Sequence, residues 1–324
     1  MLAFTRAMRL PEGVRAGQAA AVGGRLRIQP VPRPDPQPNQ ARIAVRATSL
    51  NLGEVRNALT GAADGFRPGW DLAGVVTQAA ADGSGLPQGE RVVGFLRSGA
   101  WAREVVVSTH ALAPLPDDVS FAQAATLPVA GLTALYALDI CGDLLGRNIL
   151  VDGASGGVGH LAVQLASFGG AHVVAAVRRP EREEIVREAG AHAVVIGEDL
   201  AEAGAHGPYD AILESVGGAS LAQSLTMLAP EGVCVNYGNS SGQETTFNVS
   251  QMYATGGARL YGFILFHELM RWPAALGLAR LVEFVRAGIL DPPIEREAAW
   301  ADFSQTAQAL WNREIAGKAV IRIE

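Results

Sequence analysis

Residues 149–166 read ILVDGASGGVGHLAVQLA, and no other stretch restricts the fold so tightly. Ile149, Leu150 and Val151 form an apolar, partly β-branched run suited to a buried strand, and Gly153, Gly156, Gly157 and Gly159 follow at once. From Val158 the apolar residues recur at Leu161, Ala162, Leu165 and Ala166, which is helical spacing. Strand, glycine turn and helix in that order build the phosphate-binding corner of a dinucleotide fold. The first glycine permits a sharp turn, the middle ones let backbone N–H groups approach a pyrophosphate, and the last lets helix and strand pack closely. The helix N-terminus adds partial positive charge where phosphates would sit.

The rest of the chain divides around this corner. At 324 residues, 49% of them hydrophobic, it is long enough for two domains. Pro30 to Pro38 holds five prolines in nine residues and reads as an extended connection, and residues 1–18 read as a lead-in. Ile43, Val45, Ala47 and Ser49 then alternate with Arg42, Ala44, Arg46 and Thr48, as in a strand with one wet face. Further short strands are expected at Trp70–Val76, Glu90–Leu96 and Trp101–Val107, with no helix of length before Ser120. Such strands suggest a small antiparallel, barrel-like domain. From Ser120, a plausible N-cap, helices and strands alternate: strands are expected at 171–177, 192–196, 209–215, 232–238 and 258–263. This pattern predicts a doubly wound parallel sheet. Helices near 272–286 and 302–312 and a strand at 318–323 are expected to return to the first domain. The nucleotide domain then spans 120–264, between catalytic-domain segments 1–119 and 265–324.

Charge and motifs exclude several classes. With 26 basic against 32 acidic residues the net charge is −6, and no basic cluster interleaved with aromatics is present, which argues against a nucleic-acid surface. Cys141 and Cys234 form no CxxC pair, so neither a disulfide framework nor a cysteine-rich zinc lobe is expected. There is no apolar run long enough to span a membrane and no leader of signal-peptide composition, so the expectation is a cytoplasmic protein. No tyrosine is followed four residues later by lysine, no Walker loop or HExxH occurs, and the six histidines are scattered, so no metal is expected.

The cofactor follows from one missing carboxylate. A site for NAD carries Asp or Glu about 20 residues past the glycine turn to bind the ribose 2′-hydroxyl. Here that place reads Val177-Arg178-Arg179. A carboxylate would repel a 2′-phosphate, whereas guanidinium groups bind it. The cofactor expected is therefore NADP(H), held by Arg178 and secondarily by Arg179.

Taken in order, SLNLGE (Ser49–Glu54), RPGWDLAGVV (Arg67–Val76), GERVVGF (Gly89–Phe95), GAWAREVVV (Gly99–Val107), LPVAGLTALYAL (Leu127–Leu138), GASGGVG (Gly153–Gly159) and GKAVIRI (Gly317–Ile323) resemble the medium-chain dehydrogenase/reductase superfamily, within it the zinc-free quinone oxidoreductase branch. The resemblance implies a GroES-like β-barrel catalytic domain and a Rossmann nucleotide-binding domain. It places Ser155, Gly156, Gly157 and Val158 at the pyrophosphate, Thr133 by the nicotinamide, and Asn51 near the nicotinamide ribose as the catalytic-site residue. Val216 falls on the adenine side, Tyr237, Gly238 and Asn239 in the loop beside the nicotinamide, Phe263 and Ile264 past the last strand, and Lys318 near the C-terminal strand. Where zinc alcohol dehydrogenases carry metal ligands, this chain has Asn51 and Gly69-Trp70-Asp71.

Without a Lewis acid, alcohol oxidation loses its means of lowering the hydroxyl pKa, whereas hydride delivery to an electron-poor acceptor needs no such help. The implied activity is NADPH-dependent reduction of quinones or other activated α,β-unsaturated carbonyls. The alternative is an enoyl reductase for a biosynthetic, polyketide-type intermediate. A third reading is an NADPH-binding protein with little turnover. Two departures stand out: Arg56 replaces a tyrosine that many such reductases carry, and Gly197 stands where a phosphate-binding tyrosine is expected. Tyr261, Asp71 and His267 are alternative proton donors. The resemblance also implies a homodimer formed through the strand at 258–263.

Overall fold

The computed structural model describes residues 16–22 and 25–324. Of the expected lead-in, residues 1–15 lie outside that range, and residues 16–18 belong to a strand. This is β1 (Ala16–Val22), which pairs antiparallel with β2 (Arg25–Val31), a hairpin that the Ala- and Arg-rich sequence conceals. Next come β3 (Gln40–Leu50), α1 (Leu52–Thr60), β4 (Asp71–Gln78), β5 (Arg91–Phe95), β6 (Glu104–Ser108) and β7 (Leu112–Pro114). Helix α1 corrects the expectation of no helix before Ser120. It begins where the Glu54 carboxylate returns to accept from the Asn51 backbone N–H at 2.9 Å, the local bond of a helix start. A nine-residue helix gives too short a periodic signal to stand out among strands.

The inward half of the alternation in β3 holds, but the face expected to be wet is mostly dry: Arg42 and Thr48 are buried, Ala44 is half-buried and Arg46 alone is exposed. β3 lies antiparallel to β4 and β6, β4 to β5, and β5 to β7. Ile43, Val45 and Ala47 point inward and are almost fully buried. Gly74 is needed at the β3–β4 contact because an added Cβ would lie 2.1 Å from the Ala44 carbonyl oxygen. The strand pairings among the described residues form an open path, so in this GroES-like layer the sheet does not close into a barrel.

The 120–138 stretch, expected as one helix, is three pieces: α2 (Phe121–Ala125), a π-helical turn (Leu127–Gly131) and α3 (Leu132–Cys141). Ser120 does cap α2, its hydroxyl accepting from Gln123 N–H at 3.1 Å. Pro128 inside the run removes an N–H and prevents one continuous α-helix.

Then β8 (Asn148–Asp152), α4 (Gly157–Phe168), β9 (His172–Val177), α5 (Glu183–Glu188), β10 (Ala193–Ile196), β11 (Tyr209–Glu214), α6 (Gly218–Thr226), β12 (Leu228–Asn236), α7 (Val249–Ala254) and β13 (Arg259–Gly262) complete the nucleotide layer. Its six strands are all parallel in the order β10-β9-β8-β11-β12-β13, with the crossover at β8 and β11 that makes a doubly wound sheet. Ile149, Leu150 and Val151 sit at its centre with no exposure.

The chain then returns through α8 (Leu265–Glu268), α9 (Ala274–Arg286), β14 (Ile294–Ala299), α10 (Phe303–Trp311) and β15 (Lys318–Arg322). β15 lies antiparallel to β3 and parallel to β14. The last strand therefore shares a sheet with residues 40–114, and the parallel sheet is inserted between them. β14 was not legible in the sequence because IEREAA carries its charges on an outer strand with little burial.

Candidate cofactor and active site

The glycine turn between β8 and α4 is as tight as its sequence implies. Gly153 has φ +73°, where a side chain would be strained. A Cβ on Gly159 would lie 2.3 Å from the Gly153 carbonyl oxygen, so only glycine lets the helix approach the turn. Gly156 is the N-cap of α4, and its backbone leads the helix N-terminus toward a cleft of about 350 Å³.

Ser155, Gly156, Arg178, Arg179 and Val216 all line this cleft, together with Gly197, Ser215, Ser220 and Ser240. Ile315, Ala316 and Arg313 close it from the other layer. Arg313 was missed in the sequence because it lies 135 positions from Arg178 (313 − 178), and only the returning chain brings the two together. It donates to the Ser240 carbonyl at 3.3 Å. Burial lowers its pKa first, and repulsion from Arg178 and Arg56 lowers it further. Glu198 and Asp199 line the same cleft, together with Asp152, so the three guanidinium groups do not outnumber the carboxylates; beside a helix N-terminus the guanidinium groups still suit an anion.

The cleft floor carries Asp152, whose Oδ2 accepts from Ser220 Oγ at 2.5 Å. Burial, and then the nearby Glu214 charge, pushes its pKa up to about 6. Glu214 itself holds the adjacent loop, one oxygen accepting from Val216 N–H at 2.8 Å and Gly217 N–H at 2.7 Å. Asn239 and Gly238 pack on the same loop: a Cβ on Gly217 would lie 2.5 Å from Asn239 Oδ1, and one on Gly238 2.9 Å from the Ser215 carbonyl oxygen. Tyr237 is tied to this strand end by its N–H to the Glu214 carbonyl, and burial pushes its phenol above the usual range.

The other expected residues are spread around the junction of the layers. Thr133 is buried in the first turn of α3. Phe263 is buried after β13 with its N–H on the Asn236 carbonyl, and Ile264 is 59% exposed at the start of α8. Val158 opens α4 and is half-buried beside the core. Gly157 faces Lys318, for a Cβ there would lie 2.7 Å from the Lys318 Cδ. Lys318 thus lays its stem on the glycine turn and carries its ammonium to Asn51 and Asp71.

That ammonium enters a buried network. Lys318 Nζ donates to Asn51 Oδ1 at 2.6 Å and to the Leu50 carbonyl at 3.2 Å, and stands 3.6 Å from Asp71 Oδ2. Asp71 accepts from Ser49 Oγ at 2.5 Å, Asn51 Nδ2 at 2.7 Å and Val129 N–H at 2.9 Å. The π-helical turn presents Val129 N–H to it. Asn51 Nδ2 gives its second hydrogen to Glu54 Oε1 at 3.0 Å. Burial raises the Asp71 pKa, against Lys318 and the three hydrogen bonds that lower it. Burial and then the Asp71 charge raise Glu54 well above the usual carboxylate range. Burial lowers Lys318, against both carboxylates. With three donors plus an ammonium, Asp71 is the ionised acid. Glu54, whose Oε2 has no partner, is the neutral one. Both amide hydrogens of Asn51 are spent inside the protein, so toward a ligand it offers only the second lone pair of Oδ1.

Two family models match the chain: the alcohol dehydrogenase GroES-like domain over residues 37–117 and the zinc-binding dehydrogenase domain over residues 157–280. The chain belongs to the medium-chain dehydrogenase/reductase superfamily. Among curated relatives, a spectinabilin polyketide synthase system protein of Streptomyces orinoci is 38% identical over 242 residues, 71% of this chain but 11% of that protein. The chain thus spans about a tenth of the length of that relative. Among solved structures, the quinone oxidoreductase of Coxiella burnetii is 24% identical with a TM-score of 0.82, covering 96% of this chain and all (100%) of that one. A mycobacterial protein solved in complex with NADPH is 24% identical with a TM-score of 0.85, covering 95% and 100%. At that identity these two structures bear on the fold alone.

The name of the second family model implies zinc, and the residues do not fit it. Where the resemblance places metal ligands, the chain offers an amide, an indole and a carboxylate already engaged by an ammonium, with no thiolate or imidazole. Among the described residues no three His, Cys, Asp or Glu are grouped to hold a metal. No helix among the described residues is long and apolar enough to cross a membrane.

Proposed function

We propose that this chain is a zinc-independent, NADPH-dependent reductase of quinones or other activated α,β-unsaturated carbonyls. In this reading residues 120–264 form the nucleotide domain and the remainder the catalytic domain. The observation that carries it is a pairing of two features. The glycine turn opens on a cleft lined by Arg178, Arg179 and Arg313, and the place of a Lewis acid holds the buried Lys318–Asp71 pair.

NADPH would supply the hydride for an acceptor that is already electron-poor. The turn from Ser155 to Val158 would hold its pyrophosphate, and Arg178, with Arg179 and Arg313, its 2′-phosphate. Asn51 Oδ1, kept in one orientation by Lys318, would accept from a hydroxyl of the nicotinamide ribose. Val216 and the 237–239 loop would border the cofactor, with Thr133, Phe263 and Ile264 farther along its nicotinamide side. Tyr261 is an inefficient proton donor, since its hydroxyl already donates to Glu268 Oε1 at 2.7 Å. Asp71 holds no proton to give. In this reading the substrate proton comes from water, with His267, exposed on α8, the remaining side-chain alternative, and rate enhancement rests on proximity and solvent exclusion.

The polyketide synthase relative favours the second reading, an enoyl reductase acting on a biosynthetic thioester. Initial rates of NADPH oxidation with an ortho-quinone and with a 2-enoyl thioester, each repeated with NADH, separate the two. Turnover of the thioester alone would promote the enoyl reductase, and a lack of turnover with either acceptor would refute both. A homodimer joined edge to edge along β13 belongs to the proposal, and a single species near 33.8 kDa in sedimentation would overturn it.

A further inference from the structure

We propose that Glu295 is a positioning residue for the cofactor: bridged to Arg182, its carboxylate holds residues 313–317 as a strap over the adenosine end of the cleft, without lying in the cleft itself. The inference rests on the nucleotide reading above and adds to it a residue that acts through the backbone of its neighbours.

The strap joins α10 to β15 and belongs to the layer opposite the glycine turn. Arg313, Ile315 and Ala316 line the cleft that Arg178 and Arg179 also line. Gly317 instead lines a second cavity of about 360 Å³, together with Gln164, Arg182 and Glu295, so the strap stands between the two. Ala316 and Gly317 have no polar side chain with which to fix themselves, and a single carboxylate does it for them. Glu295 Oε2 accepts from Ala316 N–H and from Gly317 N–H, each at 2.9 Å. The same carboxylate takes both terminal nitrogens of Arg182, Nη2 on Oε1 at 3.1 Å and Nη1 on Oε2 at 3.3 Å. Arg182 N–H donates to the Arg179 carbonyl at 3.0 Å, so the two arginines share one turn. The bridge therefore runs from the segment that carries the phosphate-binding arginines to the backbone of the strap.

Other ties hold Glu295 itself in place. Lys318 N–H donates to the Pro293 carbonyl at 2.7 Å, and a Cβ on Gly317 would lie 2.4 Å from that oxygen, so the strap packs directly on residues 291–295. Gln164 of α4 grips the same segment, its Oε1 accepting from Asp291 N–H at 2.7 Å and its Nε2 donating to the Asp291 carbonyl at 2.8 Å. Burial acts to raise the Glu295 pKa, but the hydrogen bonds from Arg182, Gly317 and Ala316 outweigh it and lower it. The carboxylate is therefore ionised at neutral pH, and its hydrogen bonds are charge-assisted. Its charge and its position act in opposite directions. As a negative charge near an anion site, Glu295 disfavours a phosphate-bearing ligand. As the anchor of the strap it favours one, so neutralising it distinguishes the two by sign.

Two fragments of the cofactor test this: 2′,5′-ADP, the adenosine half alone, bound in a calorimeter, and reduced nicotinamide mononucleotide, which lacks that half, used as hydride donor. Both are measured on the protein, Glu295→Gln, Arg182→Gln and the double variant. Glu295→Gln is expected to weaken 2′,5′-ADP about ten-fold and to raise the KM for NADPH by a similar factor. Its kcat at saturating NADPH and its kcat/KM with the reduced mononucleotide should match the parent. The double variant should bind no more weakly than the weaker single one, because both changes break one bridge. Tighter or unchanged binding of 2′,5′-ADP by Glu295→Gln would overturn the proposal, and so would an equal loss with the reduced mononucleotide, which would mean a general distortion. A parent that binds no 2′,5′-ADP would refute the nucleotide reading, and with it the cofactor role of Glu295. The hold on the strap is read separately in the ligand-free protein: backbone amide exchange over residues 313–318 should be about ten-fold faster in Glu295→Ala. Unchanged exchange there would refute the anchor whatever the cofactor.

Discussion

Replacing Lys318 by methionine should destabilise the fold in a way that depends steeply on pH. The ammonium stands 3.6 Å from Asp71 Oδ2. At an effective dielectric constant of about 20, this pair attracts by roughly 5 kcal/mol. Lys318→Met leaves a carboxylate with no exposure and three hydrogen-bond donors but no cation. Its alternative is to take up a proton. Relative to an unfolded-state pKa of about 3.9, that costs about 4 kcal/mol at pH 7 and about 1.5 kcal/mol at pH 5. Burial already raises the folded-state pKa of Asp71, and in the variant, without Lys318 to lower it, it rises further above its unfolded value. The folded state then holds a proton that the unfolded state releases, and stability falls as pH rises above about 4. Burying methionine in place of a desolvated ammonium recovers part of the loss, so a deficit of about 2–4 kcal/mol is expected at pH 7. It should shrink by about 2.5 kcal/mol at pH 5. Urea unfolding of both proteins at pH 5, 6 and 7 measures this, and Lys318→Met/Asp71→Asn should abolish the pH dependence. A deficit equal at all three pH values would refute the assignment of Asp71 as the ionised acid.

Three further outcomes are expected. Arg178→Ala should reduce the preference for NADPH over NADH by about 10- to 100-fold, read from kcat/KM with each cofactor, because a charge-assisted contact to the 2′-phosphate is lost; an unchanged ratio would move that phosphate elsewhere. Gly159→Ala places a Cβ 2.3 Å from a backbone carbonyl, so the turn must shift. It should weaken NADPH binding at least ten-fold by fluorescence titration and lower stability by about 1–3 kcal/mol. Asp152→Asn removes a carboxyl whose pKa is raised to about 6. A raised carboxyl loses stability as pH climbs from about 4 to 6, by about 3 kcal/mol at most, so the variant should have a higher Tm than the parent at pH 7.5 and no advantage at pH 4. A lower Tm at pH 7.5 would mean that the Ser220 hydrogen bond outweighs the desolvation.

The parts of the site legible in the sequence are those made by one short segment. The turn from Gly153 to Gly159 announces itself because three physical demands, a positive φ, room for phosphate and close packing, all select glycine within seven residues. Arg178 and Arg179 are legible because they follow a strand whose end is placed by the same corner. Asp71 appeared at the place of the zinc ligands and as one of several candidate proton donors, and nothing local shows that its carboxylate is committed to Lys318. Arg313 carries no local signal, and its backbone conformation is unusual for any arginine. Helix α1 was hidden in the same way, since its capping bond between Asn51 and Glu54 looks ordinary until the buried network beneath it is seen.

By itself the sequence determined the parallel sheet, the phosphate corner and the return of the last strand, because apolar periodicity and glycine placement act over a few residues. Tertiary structure decided which charges meet. Lys318 reaches Asn51 and Asp71 across separations of 267 and 247 positions (318 − 51 and 318 − 71), and Arg313 reaches the Arg178 side of the cleft from the opposite layer. Electrostatic interaction depends on distance in space and on the water excluded between the groups, and neither is written in the spacing of residues along a chain.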